Sequence, residues 1–163
     1  MKLRLSLYPF VVVVAALLAP SALAQKPVKE PVVLEPIEFA AGEVCPFAVR
    51  LEAIGNKQQM KTFPSGRVMI TGRLSTRVTN LATNRSMVVN TSGPVTITEL
   101  ENDRIRIVGR GKNIVFSFER DVTGAGLLLT TGRGVSILDL ATDTVVSFQH
   151  QGRAIDLCAR LAA

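Results

Sequence analysis

Arginine is the residue type that this sequence places where chemistry could occur. Arg67, Arg73, Arg77, Arg104, Arg106, Arg110, Arg133 and Arg153 fall on or beside stretches of alternating apolar and polar residues, several of them next to a glycine. A guanidinium carries a permanent charge and a fork of donors, so a row of them on one sheet face is an anion-binding stripe. The candidate set is Arg67, Arg73, Arg104, Arg106, Arg110 and Arg133. Its ligand would be nucleic acid, a polyanionic wall polymer or acidic lipid headgroups. Nucleic acid is disfavoured, because no aromatic residues interleave with the arginines to stack bases. The plainer reading, which is preferred at this stage, is that the arginines coat the solvent face of a sheet whose other face is apolar.

Other constellations are weaker. His150 is the only histidine and sits between Gln149 and Gln151, which reads as surface decoration. One histidine and two cysteines do not make a metal site. No Gly-x-Ser-x-Gly elbow occurs, and no carboxylate is matched to His150 by spacing. Glu119 and Asp121 flank Arg120 and could do acid–base work, but near a turn they read as solvated polar residues. Gly109-Arg110-Gly111 and Gly132-Arg133-Gly134 are not phosphate loops, since no helix follows either. No catalytic residue and no cofactor is implied.

The elements that would position the arginines are strands. Phe47, Val49 and Leu51 alternate with polar neighbours, and similar runs follow between turns at Pro64-Ser65-Gly66, Asn80 to Asn84, Glu101-Asn102-Asp103, Asp121 to Gly124 and Asp139 to Asp143. Six long antiparallel strands result, the clearest being Arg104 to Phe118, and no window supports a helix after the leader. In an antiparallel hairpin, paired positions are symmetric about the turn centre. The pairs Gly55/Gly72, Gly72/Gly93, Gly93/Gly111, Gly111/Gly132 and Gly132/Gly152 are all centred in turns recognised from composition alone. The glycines should therefore form a line across the sheet, a crease where it coils sharply. The apolar face changes parity across Gly109 to Gly111 and across Gly152, which predicts a β-bulge at each.

The first 24 residues carry Lys2 and Arg4, an apolar run from Leu5 to Ala19, Pro20 and Ala22-Leu23-Ala24, the layout of a cleavable secretory signal. Cleavage after Ala24 leaves 139 of the 163 residues and 17 of the 19 basic groups against 13 acidic ones, a net of +4. Residues 25–44 bear Pro27, Pro31 and Pro36 and read as an extended linker, with Ile37 and Phe39 able to dock as a short edge strand. Residues 45–163 form one domain. Cys45 and Cys158, in an exported chain, are expected to form a disulfide. With six strands the two cysteines lie at the same end, so the bond would tie the outer edges of a closed barrel; a sandwich pinned at one corner is the alternative. Phe116, Phe118, Leu127, Leu129, Val146 and Phe148 are the candidate lining of an interior cavity, although six strands are expected to pack full.

Val44-Cys45-Pro46-Phe47, Pro64-Ser65-Gly66-Arg67, Val78-Thr79-Asn80-Leu81, Ser92-Gly93-Pro94, Gly111-Lys112-Asn113-Ile114, Thr131-Gly132-Arg133 and Asp156-Leu157-Cys158-Ala159 occur in that order. Together they resemble a group of secreted actinobacterial β-rich proteins. The resemblance implies export and the cysteine pair, and brings no activity or catalytic residue. The expectation is therefore a secreted, non-catalytic all-β domain with an extracellular binding or interaction role at or near the cell envelope, its partner an anionic envelope component or a small apolar ligand. A carrier of a small lipophilic ligand is the second reading, and a cofactor-free barrel isomerase the third.

Overall fold

The computed structural model describes residues 26–162, so the leader and its cleavage site lie outside the described residues. Every strand pairing is antiparallel. Two short strands come first, β1 (Val28–Pro31) and β2 (Ile37–Phe39). Three long hairpin arms follow, each broken near its middle: β3 (Val49–Asn56) with β4 (Gln59–Thr62), β5 (Val68–Thr71) with β6 (Leu74–Asn80), and β7 (Ser86–Asn90) with β8 (Val95–Leu100). The last three arms run unbroken as β9 (Arg104–Ser117), β10 (Gly126–Asp139) and β11 (Thr144–Asp156), and the helix α1 (Leu157–Ala162) ends the fold.

Breaking the first three arms separates two sheets. One has seven strands in the order β1-β4-β5-β8-β9-β10-β11, and the other four in the order β2-β3-β6-β7. The stretch expected to be a linker thus supplies an edge strand to each sheet, with Ile37–Phe39 pairing along β3 as anticipated. The four-stranded sheet packs on the distal half of β9 and β10. Val49, Val78, Leu127 and Leu157 are fully buried there, beside Phe39, Val44, Val89 and Leu161. Each fully buried Val or Leu contributes about 1.5–3 kcal/mol. Among the described residues no second sheet packs over the other half of the seven-stranded sheet.

The crease is real but shorter than expected. Gly132 is the register partner of both Gly111 and Gly152, and Gly93 donates its N–H to the Lys112 carbonyl at 2.8 Å. Gly132 and Gly152 take φ of 125° and 135°, and a β-carbon on either would collide with the facing backbone, the carbonyl of Gln151 or of Thr131. Only glycine combines that conformation with such close strand approach. The line ends at Gly72. Gly55 pairs with Ser75 instead, and Gly72 abuts Gln58. In the first arm the bend is made by Asn56, whose side-chain oxygen accepts the Gln58 N–H at 2.9 Å.

The bulges expected at Gly109–Gly111 and Gly152 do not form. The β9–β10–β11 ladders run through the crease without a shift, because the apolar face is exchanged by the glycine backbones on adjacent strands in step. The register shifts lie elsewhere, at Val146 opposite Ile137–Leu138 and at Ile54 in β3.

A closed barrel does not form among the described residues either: β1, β11, β2 and β7 are all edge strands. The sheet parts at Pro94, which has no N–H to donate. There the Arg110 N–H reaches the Pro94 carbonyl at 2.9 Å, after which β7 leaves with β6. The gap between β11 and the β2–β3 edge is spanned by α1 and the Cys45–Cys158 disulfide, with a Cα separation of 5.5 Å. Two packed sheets pinned at one corner describe the fold. The helix, not expected from the sequence, is capped by Asp156, whose carboxylate accepts the Ala159 N–H at 3.0 Å. Its buried Leu157, Cys158 and Leu161 face the core, and the Leu161 carbonyl accepts from Asn80 Nδ2 at 3.2 Å.

Candidate anion-binding face

On the open half of the seven-stranded sheet, period-two alternation sends Arg106, Val108 and Arg110 of β9 to one face. Cross-strand pairing then fixes their neighbours: Thr98 beside Arg106, Thr96 beside Val108, and Arg133 of β10 directly opposite Arg110. These residues line a shallow groove of about 550 Å³, to which Arg67, immediately before β5, also contributes. Four arginines of the candidate set are thus brought together. Arg110 is fixed on both sides of its Cα, since its N–H is held by Pro94 and its carbonyl accepts from Asn113 Nδ2 at 3.0 Å.

Electrostatics separate these four from the other arginines. The ion pairs among the described residues join Arg50 to Glu38, Arg77 to Glu52, Arg104 to Asp139 and Arg120 to Asp143. None involves a groove arginine. Arg67 stacks on the Phe63 ring with its guanidinium carbon 4.2 Å from the centroid, which leaves its donors free. Like charges facing each other across a ladder are destabilising. The Arg110–Arg133 pair therefore carries a repulsion that an anion bound between them would relieve.

The two remaining candidates do not join the groove. Arg104 lies on the same face at the far end of β9, but its Nε donates to Asp139 Oδ2 at 3.2 Å. That hydrogen bond, with backbone N–H groups of Thr142 and Ala141, holds the Asp139 carboxyl below its usual range against the opposing effect of burial. Arg73 follows Gly72 at the crease, exposed and outside the groove.

The opposite face of β9 and β10 carries an apolar trough of about 370 Å³. Phe116, Phe118 and Phe148, expected in the interior of a barrel, line this trough on the sheet face instead. Leu127 does not: it is fully buried between the sheets, and Leu129 packs on the same core. Val146 is turned out by the bulge and Val145 lines the trough in its place. Ile107 and Leu138 were missed, because their faces depend on how the crease exchanges parity. His150 stacks parallel to Phe148 with centroids 6.4 Å apart, and its Nε2 is buried without a partner among the described residues.

One wall of the trough is built by a residue the sequence reading set aside. Asp121 is buried, and its two oxygens accept the N–H groups of Phe118 at 2.7 Å and Val145 at 2.8 Å. Both oxygens are thus committed to the backbone, so Asp121 staples the β9–β10 loop to β11. Glu119 is exposed, and no group of three or more His, Cys, Asp or Glu among the described residues could hold a metal.

Comparison with protein families, curated proteins and solved structures gives no match. No helix among the described residues is long and apolar enough to cross a membrane, and the disulfide is compatible with an extracellular location.

Proposed function

We propose that the protein is a secreted, non-catalytic binding domain that holds an anionic polymer of the cell envelope against the arginine face of its open sheet. The observation that carries this reading is the Arg110–Arg133 pair: two arginines in direct register, flanked by Arg106 and Arg67, none of them in an ion pair among the described residues. The sheet spaces charges about 5 Å apart across strands and about 7 Å along them, which suits repeating phosphate, sulfate or carboxylate groups. Thr96 and Thr98 add hydroxyl donors between the charges. Export, and kinship with the secreted actinobacterial proteins that the ordered motifs resemble, belong to the same proposal.

Retention on an immobilised polyanion such as dextran sulfate tests it. The wild-type protein should elute at higher salt than Arg110→Ala/Arg133→Ala, whereas Arg104→Ala should elute with the wild type because Arg104 is already paired. Equal elution of the double variant and the wild type would remove the basis of the proposal.

A further inference from the structure

We infer that the trough on the face opposite the arginines is a binding site for one small, neutral, mainly apolar molecule. This site is independent of the anionic polymer proposed above. Its size falls at the lower end of small-molecule pockets, roughly 300–1,000 Å³. Ile107, Phe116, Phe118, Leu138, Val145 and Phe148 supply its surface. A narrower recess of about 100 Å³ adjoins it, sharing Ile107, Ile114, Ser136 and Phe148 and reaching Gly109 and Gly134.

The trough is preformed. Asp121 ties the loop after β9 to the start of β11 through the two hydrogen bonds given above, and the Val122 N–H adds a third to the Val145 carbonyl at 2.9 Å. Arg120 closes the rim. Its Nη2 donates to Asp143 Oδ2 at 2.9 Å, its Nε to the Asp143 carbonyl at 3.0 Å, and its guanidinium lies over the Phe118 ring. A wall held this way needs no ordering when a ligand arrives, which lowers the cost of binding.

Charge decides the ligand class. One arginine and two aspartates stand at the trough, and the arginine is already paired, so no free cation greets an anionic headgroup. Both oxygens of Asp121 are occupied, and Asp143 is taken by Arg120, so no free carboxylate awaits a cation. The hydroxyl of Ser136 on the floor suits a single polar end of a neutral molecule. Phe116 is 41% exposed although it contacts Phe39 and Phe118 at centroid distances of 5.1 and 6.0 Å. Its open side is the area a lipophile would cover.

Fluorescence titration of the full chain with the neutral dye N-phenyl-1-naphthylamine tests this. Saturable enhancement is expected at one dye per protein. Ser136→Phe, which fills the floor, and Phe116→Ser, which removes an exposed wall, should each weaken binding by roughly tenfold; Phe116→Ser decides if Ser136→Phe does not fold. In the Arg110→Ala/Arg133→Ala background, where the arginine face is weakened, the anionic analogue 1-anilinonaphthalene-8-sulfonate should bind the trough roughly tenfold more weakly than the neutral dye, for want of a free cation. No saturable enhancement in the wild type, unchanged dye affinity in folded Phe116→Ser, or equal affinity for the two dyes would overturn the inference.

Discussion

Arg104 and Asp139 are register partners in the β9–β10 ladder, with 3.2 Å between guanidinium and carboxylate, and farther along the same ladder Arg110 faces Arg133. Two strands thus place an opposite-charge pair and a like-charge pair on one face. The first contributes to folding and the second opposes it. Arg104→Ala should destabilise the protein by about 0.2–1 kcal/mol, the range for exposed pairs. Arg110→Ala should be neutral or stabilising by up to about 1 kcal/mol at low salt. Urea unfolding at two ionic strengths measures both, and added salt should shrink both effects.

The same pair predicts a pH dependence. Asp139 has its carboxyl lowered first by the Arg104 hydrogen bond. A lowered folded-state value means that its contribution is complete above the ordinary aspartate value of about 3.9 and is lost as pH falls through the folded-state value. The stability difference between the wild type and Asp139→Asn should therefore be constant near neutrality and shrink as the solution is acidified below that ordinary value. A difference that grows on acidification would contradict the assignment.

Gly132 is wedged between two neighbouring glycines at φ 125°. A side chain there meets the Gln151 carbonyl as well as an unfavourable backbone conformation. Gly132→Ala should cost more than the roughly 1–3 kcal/mol of a strained backbone alone, whereas Gly124→Ala, in an open loop with nothing within 4 Å, should cost only the backbone strain. Thermal unfolding of the two variants separates collision from conformation.

The disulfide closes a segment of 113 residues and fastens α1 to the β2–β3 connection. In the chain-entropy account a loop of about 100 residues is worth roughly 4.7 kcal/mol. Cys45→Ser/Cys158→Ser should lose about 2–5 kcal/mol, measured by denaturant unfolding. The earliest hydrogen-exchange losses should appear in α1, which the bond holds at the corner left open by the missing β11–β2 ladder.

Much of this was legible in the sequence, for identifiable reasons. Turn residues fixed the hairpin centres, and once Gly111 pairs with Gly132 the same register necessarily pairs Arg110 with Arg133 and Arg104 with Asp139. Other features had no such signal. The bend at Asn56–Gln58 uses a side-chain oxygen where the other arms use glycine, so symmetry about the turns misplaced Gly55. Closure was overestimated because each of the first three arms divides between the two sheets, and only the third break, at Pro94, carries a proline. The helix spans only six residues, too few for a period, though Asp156 ahead of Leu157 and Leu161 was an available cap. The bulge at Val146 left no mark in composition, and with it the trough lining shifted to Val145.

The most direct test of the arginine face is calorimetric titration with inorganic polyphosphate at low and at physiological salt. Binding should weaken as salt rises, because counterions released by the bound phosphates drive it, and Arg110→Ala/Arg133→Ala should bind roughly tenfold or more weakly with a shallower salt dependence. The same affinity and the same salt slope in that variant would contradict the account.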